Sequence, residues 1–337
     1  MVDEMTVSVV VSAYNAANSI KRCVRSILAQ TEAFDEIILY NDASTDNTAA
    51  ILKKLQEQSK NVIFIDSNKN RGPGGGKNYA KGYVTSEYFL FVDADDYIAE
   101  TYLEKLKKKL DDGKPDIVFG GLTRVDKNGR IKYKREYRKP EEALIGGVSN
   151  WGCLYKREFF VKNHISIPSG KVLDDLLTRA VIVCNSPTVR IAKGCCGYFY
   201  VENSKSVTQT YMKTFLPGVM RKEMRFLWSN VNKISEENKA LFTYYAYKVV
   251  CWHLLKSGAG VGWKNMEREA SIAFSCLKSY FPDYKRNIYL RHRPPRGERR
   301  EVVFAVKLMF KLESMGILDF FMCIYASIDL SFLWPSL

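Results

Sequence analysis

Histidine is nearly absent, with three in 337 residues (164, 253 and 292), and the eight cysteines include no Cys-x-x-Cys pair. That scarcity argues against a Cys/His zinc site and against a secreted disulfide framework. Adjacent Cys195 and Cys196 could bridge only through a strained vicinal disulfide, so the thiols read as buried structural groups. The chain also lacks a GxxxxGK[ST] loop and any internal repeat. Long apolar runs are scarce too. The opening MVDEMTVSVVVSAY places acids, not a basic segment, before its short apolar run, so it reads as a core strand and not as a signal peptide. Between Asp319 and Asp329 only nine uncharged residues intervene, too few to span a bilayer, so Met315–Leu337 reads as a packing or interfacial helix. A cytoplasmic protein is expected.

Acidic residues are outnumbered, 37 against 51 Lys and Arg, for a formal charge of +14. Such a chain is drawn to nucleotides, nucleic acid or an anionic membrane leaflet, and the sign alone does not choose among them. With 46% hydrophobic and 26% charged residues the composition is that of a folded protein, and the length allows two domains, or one large α/β domain with an appendage.

Apolar β-branched runs alternate with helix-period stretches through the first part. Strands are expected at Thr6–Ser12, Glu36–Tyr40, Val62–Asp66 and Tyr88–Val92, and helices at Ala17–Gln30, Asp46–Gln58 and Gly76–Tyr83. This is a βαβ pattern, and it implies an α/β fold whose parallel sheet is covered on both faces and binds ligand at the strands' carboxyl ends. A basic helix at Ala99–Leu110 and a strand at Asp116–Phe119 follow, then a hairpin signal, Asp126-Lys127-Asn128-Gly129. A helix at Leu173–Val183 and strands at Thr188–Ile191 and Gly197–Val201 complete a mixed sheet. We place a boundary near Gln209, giving domains 1–209 and 210–337. The second is helical, at Thr214–Asn230, Glu236–Lys256, Lys264–Tyr280 and Arg300–Ile328, broken by Pro and Arg at 291–296.

The strand tips carry the chemistry. Ala13-Tyr14-Asn15 follows the first strand and Asn41-Asp42-Ala43-Ser44-Thr45-Asp46 the second. Ser44 and Asp46 suit helix capping better than ligand contact, whereas a carboxylate at Asp42 suits the imide N–H of uracil. After the third strand, Asn70-Arg71-Gly72-Pro73-Gly74-Gly75-Gly76-Lys77 offers cations and glycines that permit close backbone approach, ahead of a helix that favours anions; a flexible solvated turn is the alternative. After the fourth, Asp93-Ala94-Asp95-Asp96 crowds three carboxylates, a repulsion that a divalent cation would relieve and that capping explains for one Asp only.

These four ordered motifs resemble the inverting family 2 glycosyltransferases of the GT-A fold over about residues 5–210. The resemblance implies a nucleotide-sugar donor, usually a UDP-sugar, held by Ala13, Tyr14, Asn15, Asp42, Arg71, Gly72, Lys77, Asp93, Ala94 and Asp95. It makes Asp93-Ala94-Asp95 a DxD motif, with Asp93 at the ribose and Asp95 on Mn2+ or Mg2+. Lys171-Val172-Leu173-Asp174-Asp175-Leu176-Leu177 matches the family's base segment, which assigns Asp175 as the base that takes the acceptor's proton, with Asp174 able to exchange roles. Capping of the following helix is the competing reading. Trp151 and Gly152 match the acceptor segment, although Trp151 is nearly as well explained as core. Ser204, Lys205 and Ser206 match a late loop over the diphosphate. The chain departs from the family where Ala43 replaces a frequent Gly, Lys77 an Arg and Asp174 a Glu.

Between Lys285 and Lys311 nine Lys and Arg face two Glu, beside an apolar segment, and this pattern suits a helix on an anionic membrane surface, a solvated face or an oligomerisation module. The expected activity is transfer of a sugar from a UDP-sugar to a hydroxyl of a glycan or polyprenyl-linked acceptor in bacterial polysaccharide synthesis. Two alternatives are a sugar-nucleotide nucleotidyltransferase and a non-enzymatic nucleic-acid or membrane-binding module. The nucleotidyltransferase is disfavoured because the Gly-rich loop follows the third strand and not the first. The binding module leaves Asp42, Asp93, Asp95 and Asp175 unexplained, so nucleic acid is not expected as a partner.

Overall fold

The computed structural model describes residues 5–147, 149–169, 173–203, 218–258 and 261–327. The chain divides into two compact units, one of residues 1–143, 149–174 and 186–203, the other of 144–148, 175–185 and 204–337. The expected boundary near Gln209 lies outside the described residues. Residues 144–148 and 175–185 fall in the second unit although they lie well before that boundary in sequence.

In the first unit the strands are β1 Val7–Ala13, β2 Glu36–Asp42, β3 Val62–Ser67, β4 Tyr88–Phe91, β6 Ile117–Phe119, β9 Cys153–Lys156 and β10 Val189–Ile191. They form one sheet in the order β10-β6-β9-β4-β1-β2-β3. β1 pairs in parallel with β2 and β4, β2 with β3, and β6 with β10, while β9 alone runs antiparallel, between β4 and β6. Val7, Val9, Val10, Val11 and Ala13 are all buried, as are Ile38 to Tyr40 of β2. A strand covered on both faces needs no polar alternation, and the near-continuous apolar runs have that origin. Between these strands lie α1 Ile20–Leu28, α2 Thr48–Gln56 and α3 Gly72–Lys81. The inner face of α1, Ile20, Cys23, Val24 and Ile27, is buried at helical spacing in the same core as Val9 and Val11. Because β1 to β4 are parallel, their carboxyl ends share one edge of the sheet.

A second sheet, in the order β5-β11-β7-β8, is built from β5 Tyr97–Ile98, β7 Leu122–Val125, β8 Ile131–Arg135 and β11 Tyr198–Val201. β7 and β8 are the expected hairpin: the Asp126 carboxylate accepts the Asn128 and Arg130 N–H groups, and Gly129 takes the left-handed φ of +80° that the turn needs. The expected helix Ala99–Leu110 is shorter, α4 Tyr102–Lys107, because the Ala99 N–H donates to the Gly197 carbonyl at 2.8 Å and extends the pairing of β5 with the β11 segment. α5 Pro140–Gly146 and α6 Arg157–Lys162 flank β9 in sequence, and α7 Asp174–Cys184 follows.

The second unit contains α8 Val219–Val231, α9 Glu236–Ser257, α10 Trp263–Tyr280, a 3₁₀ turn at Pro282–Arg286, α11 Ile288–Arg291, α12 Arg300–Ser314 and α13 Leu318–Ser327. The long helix expected over Arg300–Ile328 is two helices, separated where Gly316 adopts φ +74°. Polar groups are buried in pairs. Lys248 Nζ meets Glu298 at 2.6 Å, both side chains under 5% exposed, and the Tyr244 hydroxyl donates to the same carboxylate. His253 Nε2 lies 2.8 Å from Glu269, both also enclosed.

Candidate active site at the carboxyl edge of the sheet

The first two strand tips are tied to one another. Asn15, in the left-handed region at φ +48°, accepts the Thr45 N–H at 2.8 Å through its side-chain oxygen, and its own N–H donates to Ser44 Oγ at 2.9 Å. Asp46 accepts the Thr48 N–H and the Ala17 N–H, holding the start of α2 against the loop after β1. Asp46 thus bonds the first N–H of α2 from one residue before the N-cap, Asn47, while Ser44 and Asn15 brace one loop against the other. Tyr14 stands 52% exposed beside them. Ala13 is buried in the core, so any ligand contact at that position is made by its backbone. Ala43, where the family often has Gly, sits at φ +59°, a conformation that costs an alanine roughly 1–2 kcal/mol.

Asp42 is buried at the tip of β2. Its Oδ1 accepts the Tyr40 hydroxyl at 3.1 Å and the Arg71 N–H at 2.8 Å. Arg71 in turn donates from Nη1 to the Tyr40 hydroxyl at 2.8 Å and to Ser67 Oγ at 2.7 Å, and its guanidinium lies 4.1 Å over the Tyr79 ring. Beside them Asn41 Nδ2 donates to Asp66 at 2.7 Å, linking the tips of β2 and β3. The Gly-rich segment differs from expectation. The helix starts at Gly72, four residues early, so Gly74, Gly75 and Gly76 lie inside α3 and not in a solvated loop. A methyl at Gly74 would collide with the Pro168 carbonyl, and one at Gly76 with Ser12 Oγ and, at 3.3 Å, the Tyr40 ring. These glycines admit protein, not ligand, and they bring α3 down onto β1 and β2.

That close approach delivers Lys77. Its side chain is 9% exposed, and Nζ meets Asp93 Oδ1 at 2.7 Å just past the end of β4. The three carboxylates that repel one another in sequence are thus given different partners. Asp93 has Lys77. Asp96, wholly buried, accepts the Tyr198 hydroxyl and the Val201 N–H, each at 2.8 Å. Its burial, with Asp93 and Asp95 nearby, still holds its carboxyl well above the usual range. Asp95, half-buried, accepts a long 3.4 Å bond from Asn203 Nδ2, while Arg22 donates to its backbone carbonyl and not to its carboxylate. Burial and then Asp93 push its pKa up. Ala94 between them is packed into the core. Among the described residues no group of three or more His, Cys, Asp or Glu is arranged to hold a metal ion.

Tyr198 joins this turn to the second sheet. Its hydroxyl accepts the Asp93 N–H at 3.1 Å while donating to Asp96, and its ring stacks on Trp151 at 4.4 Å and 12°. Trp151 also stacks with Tyr200 at 5.5 Å. Arg124 lies 5.8 Å from the Tyr200 ring and holds Glu202 at 2.7 Å. Trp151 is therefore partly buried against aromatic rings. Gly152 has φ +76°, and its carbonyl accepts the Tyr102 hydroxyl at 2.8 Å. The involvement of Tyr40 and Arg22 escaped sequence reasoning, which placed Tyr198 only at the start of the stretch resembling the late loop and did not foresee its pairing with Asp93 and Asp96.

Residues 8–171 match the model described as Glycosyl transferase family 2. The chain carries a family 2 glycosyltransferase domain. It is 28% identical over 225 residues to glycosyltransferase GlyA of Streptococcus pneumoniae serotype 4, covering 58% of this chain and 32% of that protein. It is 31% identical over 172 residues to a poly(ribitol-phosphate) beta-glucosyltransferase of Bacillus spizizenii, covering 49% of this chain and 27% of that one. The chain thus spans about a third or less of the length of these two relatives. Among solved structures, residues 1–349 of S. aureus TarS in complex with UDP-GlcNAc align with a TM-score of 0.67 and 17% identity, over 93% of this chain and 92% of that one. The GT-A architecture expected from the sequence is therefore present, with its helical C-terminal region.

Just past the matched residues, the segment expected to carry the base leads into α7. Leu173, buried at φ +65°, turns the chain, and Asp174 and Asp175 open the helix, both half-buried. Lys171 and Val172 of that segment, and the expected diphosphate loop Ser204, Lys205 and Ser206, lie outside the described residues.

Proposed function

We propose that the chain transfers a sugar from a UDP-sugar to a hydroxyl of a cell-surface glycan or lipid-linked glycan acceptor, with inversion at the anomeric carbon. The observation that carries this reading is the unequal partnering of the three carboxylates after β4. Lys77 neutralises Asp93 and two donors satisfy Asp96, which leaves the Asp95 carboxylate short of compensating charge. Asp95 fits a divalent cation, Mn2+ or Mg2+, held by one protein carboxylate with the remaining positions open to water and diphosphate oxygens. Such an ion supplies charge neutralisation to a departing diphosphate.

The other residues have parts that need no ion. Asp42 reads the base edge through its second oxygen, and Asp93, fixed by Lys77, accepts from ribose. Asp175 takes the proton of the acceptor hydroxyl as that oxygen bonds to the anomeric carbon and the bond to UDP breaks, so electrons end on the leaving diphosphate. The solved TarS complex with UDP-GlcNAc supports a UDP-linked donor, and the name of the Bacillus relative supports a cell-wall polymer as acceptor.

Calorimetric titration of UDP, with and without Mn2+, tests the donor site. Metal-dependent binding is expected in the wild type and lost, by at least about tenfold, in Asp95→Asn. Asp175→Asn should bind UDP normally and lose roughly 100-fold or more of transfer, the scale of a general base. A scan of UDP-sugars for slow hydrolysis then names the donor. Absence of UDP binding under all conditions overturns the reading, and pyrophosphate release in place of UDP turns it into a nucleotidyltransferase.

A further inference from the structure

The second unit ends in two consecutive helices whose outward faces differ in kind. On α12 the inward residues Val302, Ala305, Val306 and Met309 are buried. Arg300, Phe304, Lys307 and Lys311, spaced four, three and four apart, share the opposite face. Phe304 is 61% exposed there, and no acidic residue interrupts the row. Lys307 bends back to donate to the Leu290 and His292 carbonyls, which leaves Arg300 and Lys311 as the outward cations. Exposed Arg291, Arg293 and Arg296 precede them in the chain.

Across Met315 and Gly316 the chain enters α13, where Leu318, Met322, Cys323, Tyr325 and Ala326 are buried. Its outward row is Ile317, Phe320 and Ile324, exposed by 42, 64 and 42%, with Met315 at 59% before it. The row itself carries no charge. Large apolar side chains spaced three and four apart on one helix face, reached from a cationic face within one short turn, match the chemistry of an interfacial helix and not of a solvated one. No helix among the described residues is long and apolar enough to cross a membrane, so an apolar face of this kind meets a bilayer lying flat.

We infer that α12 and α13 form a docking surface for an anionic lipid bilayer. Phe320, Ile324 and Ile317 enter the boundary between headgroups and acyl chains, and Arg300, Lys311 and the arginines at 291–296 face the phosphates. Opposite charge selects this occupant: the chain is +14 overall, and the cations concentrate in the stretch leading to the apolar row.

Co-sedimentation of the full chain with vesicles tests this. Vesicles of phosphatidylcholine with 30% phosphatidylglycerol should bind it at low salt, and pure phosphatidylcholine should bind it far more weakly. Phe320→Ser/Ile324→Ser should lose about tenfold or more of the binding. Arg300→Gln/Lys311→Gln should lose roughly fivefold per charge, with a weaker dependence on salt. Unchanged melting temperatures show that the variants fold, and Phe304→Ser, on the other helix, provides an independent loss if an α13 variant does not. Equal binding to neutral and anionic vesicles, or none to either, overturns the inference. So does an α13 variant that keeps vesicle binding while light scattering shows a dimer become a monomer, an outcome that gives the apolar row to a second copy of the chain.

Discussion

At the scale of single residues, the site is organised by what each charged group is denied. Asp93, Asp95 and Asp96 are identical in chemistry and adjacent in sequence, yet one has an ammonium, one two neutral donors and one almost nothing. The different tasks proposed for them follow from those partners. Lys81 shows the opposite case, a cation without a counter-ion among the described residues. Its Nζ donates to the Ile165 carbonyl at 3.0 Å above the Phe160 ring, and burial lowers its pKa to about 8. A lysine whose folded pKa lies below the unfolded value of about 10.4 binds fewer protons folded than unfolded between the two. Stability should therefore rise as pH climbs from about 8 to 10.4, by on the order of 2 kcal/mol. Urea denaturation across that range should show the rise, and Lys81→Met should remove the part that Lys81 contributes. Half-buried Lys256, also lowered to about 8 by burial and then by Arg299, contributes a rise of its own that remains in that variant.

At the scale of elements, α3 decides the geometry of the proposed donor side. A helix that opens Gly-Pro-Gly-Gly-Gly has poor intrinsic propensity, and sequence reasoning accordingly starts it too late. Tertiary contact reverses the preference, because only glycine lets the helix backbone approach the Pro168 segment and the β1 and β2 tips. Asn78 secures the same contact, donating to the Ile167 carbonyl and accepting the Ile167 N–H. Gly74→Ala should therefore destabilise the fold by about 2–4 kcal/mol, although alanine is the better helix former in isolation. Thermal melting measures the cost. The same substitution should weaken UDP binding through displacement of Lys77, whereas Gly129→Ala, at a turn with open space, should leave binding unchanged.

At the scale of the molecule, the two units are held by different chemistry. The first rests on a sheet with apolar faces, and the second on helices that enclose ion pairs. Lys248 and Glu298 illustrate the second, since both side chains are almost fully enclosed and Tyr244 shares the carboxylate. Lys248→Met strands a buried carboxylate and should cost about 3–5 kcal/mol. Adding Glu298→Gln, which keeps an acceptor for Tyr244, should recover more than half of that loss. A double-mutant cycle by chemical denaturation checks the coupling, and additive losses would show that the pair is not coupled.

The sequence by itself determined the alternation of strands and helices, the parallel sheet and the edge at which the motifs gather. All of these follow from local periodicity: Val9-Val10-Val11 and Ile37-Ile38-Leu39 have no polar alternation to permit an exposed strand. It also marked Asp42, Asp93 and Asp95, because clustered charge at a strand end is visible without coordinates. The partners were not visible. That Lys77 meets Asp93, that Tyr198 meets Asp96 from 102 residues away, and that Trp151 is stacked on tyrosines were decided by the tertiary structure alone. Pairings between distant segments depend on which elements the fold brings together, and no local period records that. The split of α12 from α13 lies between these cases, since a single glycine marks it but only its left-handed φ makes the break.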